Sequence, residues 1–373
     1  MQNLSDYIKE NGVFNFDEKS LNELDALVFS QLAYINFDGV LDGGELTLPQ
    51  AMAEYYSKNA LEDIGELIGI SQKALALMAE CANTVRFRDV RIANYVNNVN
   101  DNIDKQFCGI EFLIGDDVLI AFRGTDITVT GVKESAMISY MFPVPAQIEA
   151  LHYFQESAMT CKGRVYACGH SKGGNLAVFA AVNCSNSLKK HIEAIYEFDA
   201  PGFPEWFFER YDYKQIRDRI KFFAPVSSFF GRMLNHEVEP VIVQSTNSGL
   251  KQHQVSSWVI ENDCFKTCES FDSVSEYASD YINDMIDYVG EDDLEAFFDT
   301  LELVAHELQI NDYYDFKSLD FHRITRLIDS LQNTDEVQKE RFKQILKRAF
   351  SDYTRDYIKN HIPRFSIGNK ENP

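Results

Sequence analysis

The residues from Arg164 to Val182 constrain this chain more than any other stretch. An apolar run, Val165-Tyr166-Ala167-Cys168, leads into Gly169-His170-Ser171-Lys172-Gly173-Gly174-Asn175-Leu176-Ala177, and small residues continue to Val182. Strand, Gly-x-Ser-x-Gly and helix follow one another in the order that puts a serine on a strained strand-to-helix turn, where only glycine is tolerated beside it. Gly169 and Gly173 let strand and helix approach closely, and the helix N-terminus turns free backbone N–H groups toward any anion that forms there. A Gly-rich turn would account for the pentapeptide alone, but with both flanks in place Ser171 is the candidate nucleophile.

The surrounding texture supplies a scaffold for such a turn. After Ser171, short apolar runs (Ala194 to Phe198, Ile220 to Ala224, Val241 to Gln244) alternate with helical segments, one from Gly173 and one from about Pro204. Such alternation implies right-handed crossovers and a parallel sheet covered on both faces. Upstream, Phe107 to Ile114 and Val118 to Phe122 flank Gly115-Asp116-Asp117 and read as a hairpin, preceded by a strand from Val90 to Val99. Residues 21 to 36 carry a helical apolar stripe that predicts a helix packed on one face, and more helix is expected over 48 to 81.

A second segment sharpens the chemistry. Leu119-Ile120-Ala121-Phe122-Arg123-Gly124-Thr125-Asp126 ends a strand in a Gly-Thr turn. An oxyanion hole needs a donor from another loop besides the N–H that follows the nucleophile, here that of Lys172, and Thr125 can offer backbone N–H, hydroxyl or both. Arg123 is expected to brace this loop through a carboxylate.

Phe-Arg-Gly-Thr followed by Gly-His-Ser-x-Gly-Gly resembles the class 3 lipases of the α/β-hydrolase superfamily. The strings Gly-His-Ser-Lys-Gly-Gly-Asn-Leu-Ala, Phe-Asp-Ala-Pro-Gly-Phe and Gln-His-Gln-Val-Ser-Ser-Trp are more similar to a bacterial lipase-like family related to them. Residues 20 to 262 carry the resemblance. It implies an α/β-hydrolase fold, a mainly parallel sheet covered by helices, and hydrolysis of an acyl ester.

The general base must then be one of eight histidines. His170 adjoins the serine inside the turn, so its side chain should point elsewhere; His152, His191 and His236 fall on helical or edge positions, and His306, His322 and His361 in the C-terminal helices. His253 sits in a polar loop after the last strand and follows the serine in the superfamily order of serine, acid, histidine. In the lipases the acid follows the second strand after the nucleophile, yet here Pro225-Val226-Ser227-Ser228 brings no carboxylate. Asp199, which opens Asp199-Ala200-Pro201-Gly202, is the substitute; a turn-initiating aspartate explains it equally well, and Glu237, Glu239 and Asp263 are alternatives. The lipases carry a lid between the Thr125 loop and the nucleophile strand. Here that interval is Ser135 to Ala146, in which Met137, Ile138, Met141 and Phe142 are candidates to line an acyl pocket.

Composition narrows what remains. A formal charge of −23 over 373 residues disfavours contact with nucleic acid or anionic lipid. No signal peptide, membrane-length apolar window or disulfide framework is evident, which reads as a cytoplasmic protein without stable membrane insertion. His-Glu-x-x-His, Walker and dinucleotide patterns are absent, so neither metal nor cofactor is implied. Residues 271 to 310 hold twelve acidic residues and no Lys or Arg, whereas 321 to 373 hold eleven Lys or Arg against seven Asp or Glu. The two stretches read as amphipathic helices that can pair. The division expected is a lipase-like domain over 1–268 and a helical C-terminal region over 269–373 open to a protein partner. The reading is a serine esterase acting on a small-molecule or lipid ester through Ser171, His253 and Asp199. A hydrolase-fold interaction protein and an acyltransferase using the same residues are the alternatives.

Overall fold

The computed structural model describes residues 2–41, 43–59, 69–126, 128–307 and 336–347. Eight strands form one sheet in chain order: β1 (Leu46–Thr47), β2 (Arg91–Asn100), β3 (Lys105–Ile114), β4 (Asp117–Phe122), β5 (Val165–His170), β6 (Ile192–Phe198), β7 (Ile220–Pro225) and β8 (Val241–Val243). The pairs from β1 to β4 are antiparallel and those from β4 to β8 parallel. The hairpin at Gly115 is thus present, and the parallel part is the segment that alternated with helices in the sequence.

Strand order that never reverses has a consequence for the layers. Right-handed crossovers advancing in one direction lay their helices on one face, leaving the other to be covered from elsewhere in the chain. Between β4 and β5 run α5 (Val129–Met137) and α6 (Pro145–Thr160), and α7 (Lys172–Asn183) joins β5 to β6. Val118, Ile120, Phe122, Val165 and Ala167 pack with α6 and α7, while the alternate residues Leu119, Ala121, Tyr166 and Cys168 pack on the opposite face. That opposite face is filled by the N-terminal helices α1 (Leu4–Asn11), α2 (Glu23–Leu32) and α4 (Gly69–Ala82), with α3 (Leu48–Lys58) beside them. The result is an α/β-hydrolase-type sheet with helices on both faces.

Two sequence expectations need correction. Helix α2 is buried on every side, not on one face, because it lies between the sheet and outer helices. Asn22 caps it by accepting from Leu24 N and Asp25 N at 2.9 and 3.0 Å, and the buried carboxylate of Asp25 also receives the Arg86 guanidinium. The helix expected from Pro204 is instead two single turns, Glu205–Phe207 and Tyr211–Lys214, around a cluster of Phe203, Phe207, Phe208 and Tyr213 rings.

At the C-terminal side, α8 (Ser273–Val289), α9 (Glu291–Glu307) and α10 (Glu336–Lys347) form a helical layer. Val289 and Leu294 with Ile345 make a separate apolar cluster with Met137, Ile138, Tyr140 and Val144. Among the described residues Arg341 pairs with Asp293 at 2.9 Å, a contact of the expected acidic-to-basic kind; most of the basic stretch, with His322 and His361, lies outside the described residues.

Candidate active site

Strand β5 ends at His170 and α7 begins at Lys172, so Ser171 alone makes the turn, at φ 56° and ψ −132°. A non-glycine residue at such angles is held only when its surroundings over-determine it. A Cβ on Gly169 would stand 2.1 Å from the carbonyl carbon of Gly173, and one on Gly173 would stand 2.1 Å from the carbonyl oxygen of Phe122. Both glycines are therefore fixed by close approach. Ser171 N–H donates to Phe198 O at 2.9 Å, tying the turn to the neighbouring strand end.

That neighbouring strand end carries Asp199, fully buried in a left-handed conformation at φ 48°. Its Oδ1 accepts the Ser228 hydroxyl and, at 3.0 Å, the Gly231 N–H; its Oδ2 lies 2.6 Å from His253 Nδ1. The loop after β7 thus supplies donors to the carboxylate in place of a carboxylate of its own. Burial alone would raise the pKa of Asp199, but the hydrogen bond and proximity to His253, helped by Ser228, leave it below the usual carboxylate range. Because an ionised carboxylate only accepts, His253 Nδ1 carries a proton, which in the neutral ring leaves the lone pair on Nε2.

His253 ends the short 3₁₀ turn Gly249–His253 in a loop closed by the bridge between Ser245 and Trp258. Gln252 anchors that loop: its Oε1 accepts Ser227 N–H at 3.0 Å, its Nε2 donates to Ser227 Oγ at 2.8 Å, and its carbonyl accepts the Trp258 indole N–H at 2.8 Å. His170 adds a further tie. Its Nε2 lies 2.9 Å from the carbonyl oxygen of His253 and its Nδ1 3.0 Å from the Tyr34 hydroxyl. The carbonyl can only accept, so Nε2 is protonated and Nδ1 takes the tyrosine proton. Burial, with His253 nearby, pushes the His170 pKa down to about 3, which keeps the ring neutral. His170 does turn away from the serine, but into the support of His253.

On the other side of Ser171, a Cβ on Gly124 would stand 2.2 Å from the Tyr34 hydroxyl and 3.3 Å from Ser171 Cβ, so the Thr125 loop passes directly over the serine. Arg123 donates to Asn97 Oδ1 at 2.9 Å and pairs with Asp126 at 3.4 Å, bracing the loop as expected. Ser135 Oγ donates to Gly131 O at 2.9 Å and is also bonded to Thr125 Oγ1. Since Ser135 has one hydroxyl proton, Thr125 is the donor of that second bond. Its hydroxyl is thereby occupied, and its N–H is the group left for an oxyanion. The Lys172 side chain runs inward, its ammonium bonded to Glu134 at 2.8 Å and to Gln106 at 2.6 and 2.7 Å, all buried. Its N–H belongs to the first turn of α7, which has no carbonyl acceptor within the helix.

Ser171, His253, His170, Thr125 and Lys172 line one cavity of about 750 Å³, a size suited to a small organic ligand. Its further walls come from Leu4, Ile70, Ala74 and Leu77 of the N-terminal helices, from Phe229, Phe230, Met233 and Leu234 after β7, and from Val132, Ala136, Ile138 and Ser139. Met137, Met141 and Phe142 do not line it. Met137 and Met141 pack toward the C-terminal helices, and Phe142 sits among Phe179, Phe203, Trp206 and Phe207. Helix α5 ends at Met137, so Met141 and Phe142 lie on the chain beyond it, where packing against the C-terminal helices and the Phe203–Phe207 cluster takes them away from the cavity.

The other candidates lie apart from this constellation. Glu237 pairs with Arg217, Asp263 with Lys19, and Glu239 is exposed; His152 and His191 are exposed, and His236 stacks on Phe222. Among the described residues one carboxylate cluster of metal-site type occurs, Asp104, Asp299 and Glu302, and all three bond the Lys133 ammonium. Tyr34, Gly124, Ser135, Ser228 and Gln252 were not anticipated as site residues.

A family model described as Mbeg1-like matches residues 81–302. The chain belongs to the Mbeg1-like family. Among solved structures it is similar to one titled "Crystal structure of M37 lipase", at 17% identity over 58% of this chain and 70% of that one, with a TM-score of 0.36. No curated protein matches it. The Mbeg1-like match spans β2 to β8 and the Ser171, Asp199 and His253 positions, whereas Tyr34 and the α1 and α4 cavity walls lie before it.

Proposed function

We propose that this Mbeg1-like protein is a serine hydrolase that cleaves carboxylic esters. The observation that carries the reading is a strained serine sharing a cavity with a histidine whose Nδ1 is held 2.6 Å from a buried aspartate. In this mechanism Ser171 Oγ attacks the ester carbonyl as His253 Nε2 takes its proton, and the N–H groups of Lys172 and Thr125 receive the oxyanion. His253 returns the proton to the leaving alkoxide as the C–O bond breaks. Water then attacks the acyl-serine by the same base, releasing the acid and restoring the serine. Asp199 keeps His253 in the required tautomer and stabilises the imidazolium.

Among the described residues Ser171 Oγ has no hydrogen-bond partner, a looseness common before substrate binds. Incubation with a fluorophosphonate probe, followed by mass spectrometry, tests the reading. An adduct on Ser171 that is lost in Ser171→Ala is expected. Absence of any adduct across a range of serine-directed probes and esters would favour a hydrolase-fold interaction protein.

No described helix is long and apolar enough to cross a membrane.

A further inference from the structure

Residues 128–141, which follow the Thr125 loop and overlap the interval where the lipases carry a lid, are held from three sides. Toward the cavity it contributes Val132, Ala136 and Ser139. Toward the sheet, buried Glu134 accepts from the Lys172 ammonium and the Gln106 and Ala146 N–H groups at 2.8 to 2.9 Å. Toward the C-terminal layer, buried Lys133 is bonded to Asp299 at 3.0 Å and to Glu302, and to Asp104 of the β2–β3 connection at 2.9 Å, while Tyr140 stacks on Phe298 with ring centroids 5.9 Å apart.

Swinging this segment away would break a fully buried ion pair, strand its charges and strip an apolar cluster at once. A lid whose open state is populated enough to serve turnover must open far more easily than that. We infer that residues 128–141 form a fixed roof, clasped by Lys133 to the C-terminal helices, and that the site takes single, water-dispersed esters rather than esters presented at a lipid–water interface. The inference rests on the hydrolase reading above. The size of the cavity suits one ester molecule, and a charge of −23 opposes adhesion to an anionic interface.

The test compares turnover of 4-nitrophenyl butyrate and labelling by a fluorophosphonate, below and above the ester's solubility limit and with or without neutral phosphatidylcholine vesicles. Ordinary saturation is expected in the intact protein, with less than about a twofold change on adding the interface, because an interface raises activity only by the inverse of a small open fraction. A rise of about tenfold or more would overturn the fixed roof while leaving the hydrolase reading intact. No labelling and no turnover under any condition would sink the hydrolase reading, and this inference with it. Releasing the clasp by Lys133→Met should create an interface-dependent rise. Should that variant not fold, Asp299→Asn with Glu302→Gln removes the two C-terminal carboxylates from the same clasp. Folded clasp variants indifferent to vesicles would overturn the role given to Lys133.

Discussion

The two loops that flank Ser171 are held in different ways. On the side of the proposed base, His253 is fixed by groups gathered at adjacent strand ends: Asp199 after β6, Ser227 and Ser228 after β7, and His170 at the end of β5. On the proposed oxyanion side, Thr125 is fixed through Ser135 to α5, and α5 in turn by the buried Lys172–Glu134 pair and the C-terminal helices. The base side is thus rigid because the sheet is rigid, and the oxyanion side because a helical layer has been packed on it. Damage to the first should appear in turnover, and damage to the second mainly in stability.

The largest effect is expected at the base. His253→Ala should lower turnover by ~10²–10⁴, the range for loss of a general base. Asp199→Asn should cost a similar factor, up to ~10⁴, because an amide leaves the imidazole in the wrong tautomer. Steady-state kinetics with thermal melts decides the matter: near-normal turnover in folded Asp199→Asn would reduce Asp199 to a turn residue.

On the oxyanion side, Glu134→Gln removes one partner of an ion pair that is 1% and 0% exposed, and should destabilise by about 3–5 kcal/mol. Burial already lowers the Lys172 pKa, although Glu134 opposes it. Without Glu134 the lysine should shed its proton at still lower pH, so the loss should shrink as pH rises. Denaturant titration at several pH values measures this, and a loss below about 1 kcal/mol would mean that the segment is anchored elsewhere.

Much of this arrangement was legible in the sequence, and what escaped it has a common cause. Ser171 could be read because strand, glycines and helix are contiguous, and His253 because chain order and a post-strand loop single it out. Asp199 was ambiguous because a left-handed aspartate before Pro201-Gly202 is also an ordinary turn; only its bonds to Ser228, Gly231 and His253 separate the two. Gly124 and Tyr34 meet across 90 residues of sequence, and Lys133 meets Asp299 and Glu302 across more than 160, so no local pattern announces them. Of the pocket candidates, Ile138 lines the cavity but Met137, Met141 and Phe142 do not, for a local reason: composition marked them as apolar, but the facing of each depends on what packs against the chain there, the C-terminal layer for the two methionines.

Glu197 tests how far the base side owes its state to partners. It lies on β6 two residues before Asp199, buried, with Oε2 unpartnered, and burial raises its pKa to about 8. A carboxyl whose folded pKa lies above its unfolded value favours the fold below the unfolded value, near 4.5, and loses that contribution as pH rises toward 8. Glu197→Gln should therefore flatten the decline in stability between those limits, by up to about 1.4 kcal/mol per pH unit. Melts from pH 5 to pH 8 measure it. Parallel curves for the two proteins would show that Glu197 is already ionised in the fold.

The smallest expected effect concerns Thr125. Its hydroxyl proton is committed to Ser135, whose own proton goes to Gly131 O, so Thr125 has a side-chain bond within the roof and an N–H near the serine. If the N–H is the oxyanion donor, Thr125→Val keeps it and nearly the same shape. Turnover should then fall by no more than about threefold, whereas loss of an oxyanion donor costs ~10²–10³. The same substitution leaves Ser135 Oγ short of a donor, a loss of about 1 kcal/mol in stability. A stability change without a rate change is thus the signature of a backbone donor held by a packed roof. A hundredfold fall in turnover with an unchanged melt would mean that the hydroxyl leaves Ser135 during the reaction and that the oxyanion side is completed by substrate.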